Sequence, residues 1–455
     1  MNQSSPAPTT RDYIDLLHGK FDWTTPAQLE DAFAAFKASK TNHLAVFFHG
    51  GLVNRSEGLG QAQRLIDGYR KAGAYPFFFI WNSGLLTALE AALLPFADNL
   101  VIRRVVERHL VFFTRLLDDT LKLKTHEGDV LRAIGNLPRD TPPRRLTLLG
   151  ALGRVVDSIW LPRRHDVALP DPDLWRQKID AFEKDLETDV AGLGDLSDGL
   201  KFTADIGSKI LRRLWERFRS GHDHGLYTSL IEEVGVAIGL DAALGKLWGT
   251  MKTDIDQAFL PDPAVYGGTA FLQGLTEVSD ANTRLTLIGH SGGSVYIDRM
   301  LRAIDAKKLP IDIKADVVFI AAALSFDELA ATISSGVFAR RVRNYRLFAL
   351  KNECEAGYWQ VPGVYDKSLL YLLSALCEFD PDEDKPLVGM QRYWSEASPY
   401  TVPNILTVTG TIPPAARVWS RTDPLAPPGF RASAVKHEGF AEEPKTNESV
   451  GEFLR

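Results

Sequence analysis

Leu285-Thr286-Leu287-Ile288-Gly289-His290-Ser291-Gly292-Gly293 is the stretch on which the reading of this chain turns. An apolar run of strand length leads in. An amphipathic helix leads out, with Ile297, Met300, Leu301 and Ile304 on one face. A short apolar run bounded by glycine predicts a strand of a parallel sheet. Residues 289–293 match Gly-x-Ser-x-Gly, and a serine on such a strand-to-helix turn projects its hydroxyl above the sheet edge. Its neighbours must be small because strand and helix nearly touch, which Gly289, Gly292 and Gly293 satisfy. The amide of Gly292, at the start of the helix, is placed to meet a developing oxyanion. Ser291 is therefore the candidate nucleophile. Ser294, one turn into the helix, is the competing serine with poorer access.

Upstream, residues 44–48 form a second strand-like run that ends at His49-Gly50-Gly51. Ser56 is expected to cap the following helix, which shows Leu59, Ala62, Leu65, Ile66 and Tyr69 on one face and stops at Gly73. Residues 75–81 are the next strand. This strand–helix–strand unit is the building block of a parallel sheet. Acyl transfer needs a second oxyanion donor, commonly from a loop after an early strand, where glycine permits close backbone approach. Gly51 or Leu52 is expected to supply that amide, with Gly50 shaping the loop. The plain alternative is an ordinary strand-ending turn.

Between residues 84 and 283 the alternation stops and the pattern turns helical. Ile102, Val105, Val106, Leu110, Phe113 and Leu117 recur at helical spacing, as do Ile206, Ile210, Leu214, Trp215 and Phe218. A loop-like stretch, 161–172, separates them. The expected organisation is a core of residues 1–83 and 284–455 carrying a helical insertion, 84–283. The insertion branches near Trp81 and Ser83, at a strand's carboxyl end where parallel sheets bind ligands, so it is expected to cover the site as a lid. Apolar clusters at Leu85-Leu86, Leu93-Leu94 and 110–113 read as subdomain core, or as an acyl-chain tunnel or membrane-surface contact. Basic residues at Arg144-Arg145, Arg163-Arg164, Lys209 and Arg212-Arg213 read as a solvated face, or as a headgroup contact.

Downstream, strands are expected at 317–323, 345–350 and 405–409. Helices are expected from about Asp327, over 367–378, and from Ser449 onwards. A serine needs a base to be a useful nucleophile. His437, near the end of the chain and ahead of the last helix, stands where the order Ser…acid…His puts it. His49 and His290 flank the site as loop-orienting or pocket-lining groups. His109 lies in an apolar stripe and reads as packed. His222 and His224 have no evident further ligands, so no metal is expected. The acid that holds the imidazole tautomer should follow the strand ending near Leu350. Glu355 is preferred, Glu353 is close behind, and Asp366 is third.

Bulk properties narrow the class. The chain has 455 residues, 45% hydrophobic and 24% charged, enough for a large buried core. A net charge of −6 does not favour nucleic acid. Cys354 and Cys377 make neither a disulfide framework nor a zinc ligand pattern. The polar start shows no signal peptide, and no apolar run reaches the ~18–20 residues of a transmembrane helix. A cytoplasmic protein is expected.

Four pieces in this order resemble the α/β-hydrolase superfamily: the His-Gly-Gly loop at 49–51, the Gly-His-Ser-Gly-Gly elbow at 289–293, the acidic loop at 353–355, and His437. The likeness covers about residues 40–83 and 284–455 and lies nearest to lipase- and esterase-like members. Stretches 49–53, 75–81 and 367–374 also resemble a group of bacterial proteins within it. The resemblance implies an α/β-hydrolase fold with an eight-stranded, mostly parallel sheet, of which about six strands are located. An insertion ahead of the nucleophile strand departs from the usual cap position. The implied activity is hydrolysis of a small-molecule or lipid-like carboxylic ester through an acyl-enzyme on Ser291, with no cofactor. An amidase, peptidase or thioesterase would use the same residues. A non-catalytic scaffold on this fold, or an effector released by moving the insertion, is the reading from another class.

Overall fold

The structure is a computed structural model. It describes residues 6–82, 100–121, 204–306, 314–355, 367–378, 384–395 and 402–455, Tyr365, and short pieces between 88 and 93 and between 173 and 184. Ser83, the 161–172 loop, Leu85-Leu86, Leu94, both arginine pairs at 144–145 and 163–164, and Asp366 lie outside the described residues.

The chain is an α/β protein that divides into two compact units. The first comprises Met1–Thr87, Leu247–Glu355 and Lys385–Arg455. Among the described residues it holds one eight-stranded sheet, in the order β2-β1-β4-β3-β5-β6-β7-β8. The strands are β1 Tyr13–Leu17, β2 Lys20–Phe21, β3 His43–Phe48, β4 Tyr75–Asn82, β5 Arg284–His290, β6 Ala315–Ile320, β7 Val342–Leu350 and β8 Arg417–Ser420. Every neighbouring pair is parallel except β1–β2. All six residues of β3 and of β6 are buried, as expected of strands with helices on both faces.

Local chemistry explains the helices. Helix Arg55–Lys71 begins at Asn54, whose side chain accepts from the Glu57 amide while Glu57 returns a bond to the Asn54 amide. The cap is thus Asn54 and not Ser56, because a capping box needs the glutamate three residues on. Ala62, Leu65, Ile66 and Tyr69 are buried as their spacing predicts. Residues 405–409 lie in a helix, Pro403–Thr411, not in a strand. Pro403 occupies its first turn, and the hydroxyls of Thr407, Thr409 and Thr411 each bond a carbonyl four residues back. A five-residue apolar and β-branched run fits either state by periodicity, and the proline start decides it. The strand after β7 is instead Arg417–Ser420, which is four residues long and has only two buried positions.

The division between the units differs from the expected 84–283. The second unit is Ala88–Lys246 together with Ala356–Asp384. Residues 247–283 belong with the sheet. Their helix Gly267–Val278 sits so close to helix Pro26–Ala38 that a Cβ on Gly274 would lie 2.4 Å from the Phe33 ring. Phe271 also packs on Phe33, Phe77 and Phe79. The second unit is helical, with Leu100–Leu121, Ala204–Ser220 and Leu226–Ala237 as its main described elements.

Helix Phe326–Ser334 carries a half-buried ionic joint. Glu328 completes a capping box with Ser325 and meets Arg299 at 2.6 Å and Lys252 at 3.4 Å. Burial opposes its charge, but Lys252, Arg299 and Ser325 outweigh that and hold its pKa down to about 2. A carboxylate with a depressed pKa stabilises the fold above its unfolded value, and the contribution fades as pH falls toward 2. Stability in urea is therefore expected to drop by about 3 kcal/mol more between pH 5 and pH 2 in the wild type than in Glu328→Gln. Parallel pH curves for the two proteins would contradict this.

Candidate functional site

The site is built where β5 ends. Ser291 has φ +51°, in the left-handed region that a residue with a side chain rarely adopts. The turn around it is fixed by hydrogen bonds. Ser291 donates its amide to the Ile320 carbonyl (2.9 Å), and its carbonyl accepts from Ala323 (3.1 Å) and Ser294 (3.0 Å) amides. Glycines make the turn sterically feasible. A Cβ on Gly289 would lie 2.6 Å from the Gly293 oxygen, and one on Gly293 would lie 2.2 Å from the Phe48 oxygen. The competing Ser294 is fully buried. Its hydroxyl donates to the Ser291 carbonyl (2.6 Å) and accepts from the Leu324 amide (3.0 Å), so it braces the turn.

The loop after β3 meets this turn. A Cβ on Gly292 would lie 3.0 Å from the Gly51 amide nitrogen and 3.5 Å from the Trp81 ring. A Cβ on Gly50 would lie 3.3 Å from both the Ser291 Cβ and His290 Nδ1. Gly50, Gly51, Gly292 and Ser291 are thus brought together. Of the two candidate amides, that of Gly51 adjoins Gly292; Leu52 is not among its nearest neighbours. Val53 closes the loop on the Gly50 carbonyl at 3.2 Å.

His49 is structural. Its Nδ1–H donates to the Gly50 carbonyl (2.9 Å), and its Nε2 accepts from the Trp81 amide (3.0 Å). Burial lowers its pKa to about 4, so it stays neutral and keeps that tautomer. His290 donates from Nε2 to the His437 carbonyl (3.2 Å). Burial and the neighbouring His437 lower its pKa to about 3.

His437 reaches the site on a tethered loop. Ser420 bonds Ala434 (2.6 Å), Thr422 bonds Ala432 (2.9 Å), and Glu443 holds Ser433 while capping helix Pro444–Leu454. The His437 ring lies 5.2 Å from the His290 ring, centroid to centroid, and is buried. Burial lowers its pKa to about 4. Neither ring nitrogen has a hydrogen-bond partner among the described residues. It therefore bonds neither Ser291 nor any described acid. Glu355 is buried just past β7, whereas Glu353 is exposed on the turn Asn352–Cys354.

Two residues at this site were not singled out as functional by sequence. Trp81 flanks Gly292, and Tyr296 packs against Trp81 at 5.7 Å. Tyr296 follows the elbow by five residues and, in an amphipathic helix, is hard to distinguish from ordinary core. In the second unit, His109 bonds the carbonyls of Val105 (2.7 Å) and Gly207 (3.2 Å), as a packed histidine would. His224 gains partners that its sequence neighbours did not reveal. His224, Glu232 and Asp384 offer ligand atoms within 4.8 Å of one another, a set able to hold a cation. Arg217 already bridges the two carboxylates, at 2.6 and 3.0 Å, and supplies their counter-charge. No helix among the described residues is long and apolar enough to cross a membrane.

The strained turn generates a prediction independent of any activity. Ser291→Gly is expected to raise stability by about 1 kcal/mol, because glycine adopts positive φ without strain. Gly293→Ala is expected to lose about 3 kcal/mol or more from the clash with Phe48. Urea titration of the two variants checks both signs. Searched against protein-family models, curated proteins and solved structures, the chain matches none.

Proposed function

We propose that this protein is a serine hydrolase with an α/β-hydrolase fold, acting on a small-molecule or lipid-like carboxylic ester. The observation that carries the reading is Ser291 at φ +51°, on a turn where Gly289 and Gly293 leave no room for a side chain. Such strain persists only when the surrounding structure enforces it, and it clusters where a nucleophile must be presented. An eight-stranded, mostly parallel sheet flanked by helices is compatible with that fold.

In this mechanism Ser291 Oγ attacks the ester carbonyl and passes its proton to neutral His437. The amides of Gly51 and Gly292 receive the oxyanion. His437 then protonates the leaving alcohol, and water activated by the same imidazole releases the acid. Glu355 is the preferred third member, and engaging it requires movement that brings its carboxylate to the ring. An amide or thioester would follow the same steps. One observation favours a second reading, a non-catalytic binding protein on this fold: the His437 ring makes no hydrogen bond among the described residues.

Labelling with a fluorescent fluorophosphonate separates the two readings. Labelling of the wild type is expected, with loss in Ser291→Ala and a drop of about 10³-fold or more in the rate for His437→Ala. Labelling that survives in Ser291→Ala would sink the assignment. The pH profile follows from the burial of His437. The base must be neutral, so kcat/KM is expected to fall with decreasing pH through a limb near 4. A limb near 7 would mean that a carboxylate reaches the ring in the working enzyme.

A further inference from the structure

β8 pairs with Leu347–Leu350 of β7 only, so residues 342–346 run past its start with no strand on that side among the described residues. A cavity of about 640 Å³ opens beside them, a size suited to a small organic ligand. Phe338, Val342, Pro413, Phe430 and Phe453 make much of its wall apolar.

One charged group in that wall lacks a counter-ion. Arg346 is half-buried, and no carboxylate among the described residues pairs with it. Its guanidinium lies over Phe430, 3.6 Å from the ring centroid, and 5.3 Å from that of Phe453. It donates to the Gly429 carbonyl, while its Nε is buried without an acceptor. The hydroxyl of Tyr345, also in the wall, is a second buried polar atom without a partner. The other charged side chains of the wall have ion-pair partners: Arg343 meets Asp316 at 2.5 Å, a carboxylate it shares with Arg284, and Glu452 pairs with Arg455. A partly desolvated guanidinium without a counter-charge is costly, and a planar carboxylate is the anion whose geometry fits it best.

We propose that this cavity binds a small organic carboxylate with an apolar, ring-sized body. The carboxylate pairs with Arg346, and the body lies along the Phe430 side of the wall. A carboxylate needs only the Arg346 guanidinium, whereas Arg343 already turns its Nε and Nη2 edge to Asp316. The site is distinct from Ser291. Parallel strands carry Ser291 past the carboxyl end of β5, whereas the cavity borders the amino-terminal half of β7. The proposal therefore does not rest on the hydrolase reading.

Isothermal titration of the full chain with 3-phenylpropanoate, 3-phenylpropanamide and inorganic phosphate tests it. Saturable binding of the carboxylate is expected. It should weaken at least ~10-fold for the amide, and by a similar factor in Arg346→Gln. Ser291→Ala should bind as the wild type does. Ala416→Trp, which fills the cavity from its wall and leaves Arg346 in place, should also lose binding while melting like the wild type. That second variant separates a filled site from a misfolded one. No saturable binding at millimolar carboxylate, or equal binding in Arg346→Gln, overturns the proposal. So does loss of binding in Ser291→Ala. Phosphate binding as tightly as the carboxylate, and depending on Arg346, overturns the ligand class.

Discussion

Lack of room between β3, β5 and helix Gly293–Ala306 is the constraint on which the first unit depends. A single methyl on Gly293 would reach within 2.2 Å of the Phe48 carbonyl oxygen. Because the backbones approach this closely, the chain can leave β5 and enter the helix only through a left-handed residue. That residue is Ser291. The same contact sets the loop after β3 against Gly292, and it aligns β6 so that its end receives the Ser291 amide. Glycine here is a steric requirement of the packing, and the serine conformation is its consequence.

Desolvation sets the electrostatics of the three histidines around that turn. Each is neutral because burial penalises the imidazolium. They differ in how many nitrogens are satisfied. Among the described residues both nitrogens of His49 are bonded, one of His290's is, and neither of His437's is. A fully bonded imidazole is scaffold. A buried imidazole without partners is a group for which native structures normally have a use. The second unit handles buried polarity in the opposite way. Arg217, Arg213, Glu232, Glu233, Asp384 and His224 compensate one another in a closed network.

Much of the sheet was legible from residues because strands buried on both faces read as unbroken apolar runs. β3, β4 and β5 belong to that class, and β6 and β7 lie close to where their apolar runs suggested. β1, β2 and β8 were not located. They stand at or near the sheet edges and have two to five residues each, too few for a periodic signal. Residues 405–409 read as a strand, though they lie in helix Pro403–Thr411, for a related reason. Its β-branched composition favours a strand locally, and burial of Ile405 and Val408 in the folded protein overrides that preference.

By itself the sequence determined the α/β class, the tight turn at Ser291 with its glycines, His49 as a loop-orienting group and His109 as a packed one. These rest on local spacing and on steric rules that act within a few residues. Tertiary structure alone decided the rest. It joined residues 356–384 to the helical unit, returned residues 247–283 to the sheet, and gathered His224, Glu232 and Asp384 across 160 residues of chain. Among the described residues it also left His437 without a bonded carboxylate and Arg346 without a counter-ion. Which charges meet depends on how distant segments pack, and neither composition nor periodicity encodes that pairing.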